Sequence, residues 1–160
     1  MVRVDKKFFL YTIILLLLAI SFQIYPIFNL AQSFAHINFV KIFKENYIWF
    51  ILTFIQMIFV GIWEEIIFRG MLQTYLIKKL PLYVGIILQA ILFSLVHLIN
   101  GNFYAINAFT LYTINQMYFR FIAGLALGIT YYKTRSIVYP IFLHAALDII
   151  VAYSSFIASH

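Results

Sequence analysis

Apolar runs of near-membrane length alternate along this chain with short polar or basic breaks. Five runs are long enough to predict transmembrane helices, over residues 8–25, 47–68, 82–99, 104–132 and 137–158. Residues 26–46 are more mixed and predict a loop or an interfacial segment. No helix breaker follows Arg69 until Leu80 and Pro81, so the second helix is expected to run on past the bilayer. Pro81 then opens the third helix, where its missing N–H does no harm. The outcome is an antiparallel hairpin hinged near residue 80.

Composition narrows the class. The chain is 65% hydrophobic, 20% aromatic and 10% charged, with a mean hydropathy of +0.99. No soluble domain of this length has the interior to hide so much apolar surface. The fold class is therefore all-α: a polytopic membrane helical bundle of about five spans. The absence of cysteine excludes disulfides, thiol catalysis and thiolate metal sites. A net charge of +6, scattered between apolar runs, fits membrane topology and argues against a nucleic-acid partner. The basic N-terminus is followed by a run too long for a signal peptide, with no small-residue cleavage site, and is read as an uncleaved first span. Arg3, Lys6, Lys7, Arg69, Lys78, Lys79, Lys133 and Arg135 fall on one side of the predicted membrane. Only Lys41 and Lys44 fall on the other, which orients the N-terminus to the cytosol and the C-terminus outside.

Against that background, Glu64 and Glu65 stand adjacent in the second span, two of only five acidic residues in the chain. A carboxylate in hydrocarbon costs several kcal/mol, so the pair demands a role. Glu65 and Arg69 are four apart and can pair on one helix face, which leaves Glu64 about 100° away and unpaired. Glu64 precedes Pro81 by 17 residues and His97 follows it by 16. At ~1.5 Å per residue both lie at one height, roughly 25 Å from the hinge. His144 and Asp148, also four apart, enter from the same side in the fifth span at a comparable depth. Pro140, four residues before His144, is expected to weaken the helix there and expose backbone groups. An imidazole beside a carboxylate can hold and deprotonate a water. Gly124 and Gly128 predict close helix packing. Arg120 needs a watery or acidic neighbour within the fourth span, either at a cavity mouth, on a peptide carboxylate or at a lipid headgroup.

Glu64 to Arg69 resembles an EExxxR motif, Phe93 to His97 an FxxxH motif, and His144 to Asp148 an Hxxx(N/D) motif. Their order and spacing, with Gly124, Gly128 and Tyr139-Pro140-Ile141, are similar to those of the CAAX protease and bacteriocin-processing (CPBP, or Abi) family, which includes the type II CAAX prenyl endopeptidases. The resemblance covers about residues 47–158. It implies a four-helix catalytic core (47–160), which the apolar pattern places after an N-terminal helix and interfacial loop (1–46). It implies an intramembrane endopeptidase in which Glu64 and His97 activate water. Glu65 and Arg69 would line the site beside Phe93, and His144 and Asp148 would stabilise the oxyanion. The implied partners are the lipid bilayer of a bacterial cell and a peptide or membrane-associated protein substrate, whether in bacteriocin maturation, immunity or pheromone processing. The competing reading is a non-catalytic immunity or scaffold protein that uses the same cavity. Cofactor need stays open between none and Zn²⁺ held by Glu64, His97, His144 and Asp148. Two departures matter: one helix is expected before the core where many relatives have more, and Asp148 stands where the prenyl endopeptidases tend to have Asn, so that an ionised Asp would repel an oxyanion.

Overall fold

The computed structural model of the chain describes residues 10, 13–14, 39–102 and 111–158. Most of the predicted first span, residues 8–25, lies outside the described residues, as do His36 and His160. The described residues are helical throughout, apart from short connections, and contain no strand. Helix α1, Phe39–Glu65, runs into a π-helical segment, Ile66–Gln73, and then into the short α2, Thr74–Lys79. Helices α3 (Leu82–Asn102), α4 (Leu111–Thr134) and α5 (Val138–Ala158) follow.

The element ends have local causes. Leu80 adopts extended backbone (φ −124°, ψ 159°) because the ring of Pro81 excludes the helical region for its predecessor. This is the hinge expected near residue 80. At the α4–α5 junction Arg135 takes a left-handed φ of 55°. The Val138 N–H donates to Ser136 Oγ just inside the next helix. Within the segment read as a loop or an interfacial segment, residues 39–46 are helical, with a kink at Asn46 (φ −126°, ψ 19°). One expectation changes. Pro140 does not interrupt the fifth span. It falls in the first turn of α5, where its missing N–H would have had no helical partner, so His144 sits on continuous helix.

Helix α1 packs along α5, and α3 packs along α4; the π-helical segment and α2 tie the two pairs together. At one end of the α1–α5 pair, Trp49 stacks on Phe156 at 3.9 Å and the Tyr153 hydroxyl donates to the Phe50 carbonyl at 2.7 Å. The α3–α4 seam is built from small residues. Ala90, Ala123 and Ala126 are buried there, and a Cβ on Gly124 would stand 3.2 Å from both the Cα and the Cβ of Ala90. Without side chains in the way the backbones approach closely, the usual basis of helix association in lipid. The packing predicted for Gly124 is thus observed.

The outward faces are apolar. Phe59, Trp63, Met71, Tyr83 and Phe142 are 66–77% exposed, a surface suited to lipid rather than water. The helical stretch Val40–Lys79 is long and apolar enough to cross a membrane, and Leu82–His97 and Val138–Tyr153 are apolar over shorter lengths.

The Gly124 contact is directly testable. Gly124→Leu should destabilise the detergent-solubilised protein by about 1–3 kcal/mol through overpacking against Ala90. Gly70→Ala, whose added methyl meets only the end of the Ile137 side chain at 3.5 Å and the Glu65 carbonyl at 4.0 Å, should change little. Thermal unfolding of the two variants checks both outcomes.

Candidate active site

Three of the four packed helices deliver polar side chains to one place: Glu64 and Glu65 from the end of α1, His97 from α3, and His144 and Asp148 from α5. The depth match read from residue counting is therefore a contact. His97 Nε2 lies 3.4 Å from Glu64 Oε2, and His144 Nε2 lies 3.6 Å from the same oxygen.

Glu65 anchors the centre. It is fully buried, and its Oε1 accepts a 2.6 Å hydrogen bond from Arg69 Nη1. The same oxygen lies 2.7 Å from His144 Nδ1. An oxygen already bonded to a permanent cation acts as acceptor, so His144 Nδ1 carries the proton and donates. His97 is fixed in the same manner. Its Nδ1 lies 2.9 Å from the Phe93 carbonyl, which can only accept. Both rings thus spend Nδ1 on a structural bond and turn Nε2 towards Glu64.

Phe93 forms the floor of the site. Its ring is 4.6 Å from that of His97, 5.6 Å from that of His144 and 5.0 Å, edge-on, from that of Phe68. The Arg69 guanidinium lies over it at 4.7 Å. Arg69 also reaches the Gly124 carbonyl through Nη2 at 3.4 Å, so one fully buried cation spans α1, α3 and α4.

Asp148 sits on the Nε2 side of His144, with Oδ2 at 3.5 Å. The group that orients the His144 ring is therefore Glu65, not Asp148, a division of labour that sequence spacing missed. Glu65 and His144 are 79 residues apart, and i,i+4 spacing favoured the local partner of each. Arg120 is half-buried on α4 and lies within electrostatic reach of Asp148. Glu64, His97 and Asp148 are the open members, with side chains 24%, 22% and 31% exposed. The four donors considered for Zn²⁺ meet as successive pairs, and among the described residues no group of three or more His, Asp or Glu is gathered to hold one metal ion.

Glu64 Oε2 is buried and makes no well-aligned hydrogen bond, with an imidazole Nε2 on either side at 3.4 and 3.6 Å. A water admitted beside Glu64 would lie within reach of both rings. Chemically, the arrangement offers a carboxylate that can take a proton from such a water and two ring nitrogens that can position it.

Sequence reasoning also passed over Gln73 and Gln89, both fully buried. Gln73 follows Arg69 by four residues and extends the Glu65–Arg69 face, a signal that was available. Its Nε2 donates to the Gly128 carbonyl at 2.8 Å.

In comparison with known proteins, a family model described as type II CAAX prenyl endopeptidase, Rce1-like, matches residues 46–150. No curated protein matches the chain. No solved structure matches it either.

The shared Glu65 oxygen predicts an asymmetric cost. Arg69→Met should destabilise the protein by about 3–5 kcal/mol, because it strands a buried carboxylate. Adding Glu65→Gln to Arg69→Met should recover at least half of the loss, since the stranded charge is removed. Denaturation of the three variants in one detergent checks the ordering.

Proposed function

The chain belongs to the Rce1-like type II CAAX prenyl endopeptidase family, a family of membrane-embedded proteases, and we propose that it hydrolyses peptide bonds with a water activated by Glu64. The observation that carries the reading is the buried Glu64 Oε2 held between the Nε2 atoms of His97 and His144. A water bound there has an acceptor for its proton and a neighbour on each side to aim its lone pair.

In the proposed reaction the water oxygen attacks the peptide carbonyl carbon while its proton passes to Glu64. The carbonyl π electrons move onto oxygen, which becomes the oxyanion of a tetrahedral intermediate. With a proton on Nε2, His144 donates to that oxyanion, and the Glu65 bond at Nδ1 keeps the ring aimed. Asp148, 3.5 Å from Nε2, contributes to this step either by favouring the protonated ring or as a protonated carboxyl donor. Collapse of the intermediate re-forms the carbonyl and breaks the C–N bond, and Glu64 returns its proton to the leaving amine. His97 holds the water. Arg69 and Phe93 act through Glu65 and the two rings, which makes them positioning residues.

No step in this reading passes through a metal. The substrate in this reading is a membrane-associated peptide admitted beside the exposed edges of Glu64 and Asp148. The protein is a multi-pass membrane protein of a bacterial cell with its residue-80 hinge on the cytosolic side.

Purified protein in detergent should cleave members of a library of membrane-tethered peptides, read by mass spectrometry. Glu64→Ala should lower the rate by at least ~100-fold, the low end for loss of a general base. Cleavage should survive 1,10-phenanthroline. Loss of activity in the chelator would move water activation to a bound metal. Equal products from wild type and Glu64→Ala would overturn the proposal.

A further inference from the structure

Between the catalytic centre and the hinge, three helices present matched series of side chains. From the π-helical segment come Arg69 and Gln73, followed by Thr74; from α4 come Gly124, Gly128 and Tyr131; from α3 come Phe93, Gln89, Ile86 and Leu82. Each rung is closed by a hydrogen bond between the first series and the second. Arg69 bonds the Gly124 carbonyl, Gln73 the Gly128 carbonyl, and Thr74 the Tyr131 hydroxyl at 3.1 Å. Thr74 spends its own proton on the Arg69 carbonyl at 3.0 Å, so Tyr131 is the donor in the last rung. Beyond that rung lies a cavity of about 420 Å³ lined by Thr74, Lys78, Leu82, Tyr131 and Arg135 among others.

The middle rung is not satisfied by protein. Among the described residues, the buried side-chain atoms without a partner are Glu64 Oε2, Glu65 Oε2, Arg69 Nε, Gln73 Oε1 and both polar atoms of Gln89. All of them lie on this one path. The Gln73 orientation is fixed, because the Gly128 carbonyl requires the amide nitrogen as donor. Its Oε1 therefore points away from that bond. A Cβ on Gly128 would stand 2.9 Å from Gln73 Oε1 and 3.0 Å from Gln89 Oε1, so both side-chain amides close on the space beside Gly128. Gln73 Oε1 has no protein donor there, and neither polar atom of Gln89 has a partner. A water has two O–H donors and fits a polar, protein-lined position of this kind.

We propose that Gln73, Gln89 and Gly128 hold water inside the bundle, and that this water links the hinge-side cavity to the hydrolytic site at Glu64. The inference rests on the hydrolase reading for its purpose: a protease in a membrane needs water as its second substrate, and peptide occupying the open edge of the site would shut out the direct route. Glycine at 128 is required because a methyl would press against both amide oxygens. Gln89 supplies no protein contact through its polar atoms, which is otherwise hard to reconcile with its complete burial.

The test is solid-state NMR on ¹⁵N-glutamine-labelled, full-length protein in phospholipid vesicles, reading polarisation transfer from water protons to the Gln73 and Gln89 side-chain amides. Transfer to both amides is expected, with loss of transfer to Gln73 in Gln89→Met. A dry amide–amide pair, with Gln89 turned to donate to Gln73, would show no transfer and would overturn the inference whatever the activity. Where peptide cleavage is measurable, Gln89→Met should lower kcat by about tenfold with KM unchanged. An unchanged kcat would overturn the supply role. Wet amides in a protein that cleaves nothing would instead count against the hydrolase reading and leave the water site standing.

Discussion

One carboxylate oxygen, Glu65 Oε1, organises this protein. It accepts from Arg69 on its own helix and from His144 on another, in a position with no solvent contact. Neither bond is a surface ornament. In the interior of a bundle an unpaired Glu65 or Arg69 would carry a large desolvation penalty, so each holds the other in place. The consequence extends outward. With Arg69 fixed, its guanidinium covers Phe93 and touches α4; with His144 fixed, its Nε2 faces Glu64. The adjacent acid can then stay open to the site because its neighbour carries the structural duty. That division explains why the motif needs two glutamates rather than one.

The backbone around this interaction is adapted to it. Glu65 ends α1, and the next eight residues are π-helical. Such segments are uncommon and recur at functional sites, since i→i+5 bonding widens the turn and redirects side chains. Here the redirected residues are Phe68, Arg69 and Gln73, all buried. Glycines at 124 and 128 complete the arrangement from α4. They remove the side chains that would block Arg69 and Gln73 from reaching backbone carbonyls, so the small-residue seam serves polar bonding as well as packing.

Much of this was legible in the sequence. Residue counting from Pro81 placed Glu64 and His97 at one height because a helix rises uniformly, and the two are in contact. The Glu65–Arg69 pair, the hinge at Leu80 and the Gly124 packing followed from spacing and from local backbone chemistry. Other features were not legible, for physical reasons. The His144–Glu65 bond joins helices whose rotation about their axes no one-dimensional pattern specifies. Eight residues are too short a window for hydrophobic periodicity to separate a π-helical from an α-helical segment. Pro140 was misjudged although the span predicted from residue 137 already put it in the first turn, where a missing N–H has no helical partner to lose. Gln89 looked like an isolated polar residue in an apolar run until Gln73 and Gly128 were seen beside it.

The central claim is that Glu65 sets the His144 ring so that Nε2 faces Glu64. The most direct test is the imidazole ¹⁵N spectrum of His144 in wild type and in Glu65→Gln. The account predicts a protonated, strongly hydrogen-bonded Nδ1 in wild type, a marked shift of that resonance in Glu65→Gln, and a His97 Nδ1 resonance that stays in place because its partner is the Phe93 carbonyl. An unprotonated His144 Nδ1 in wild type, or a resonance indifferent to Glu65→Gln, would contradict it.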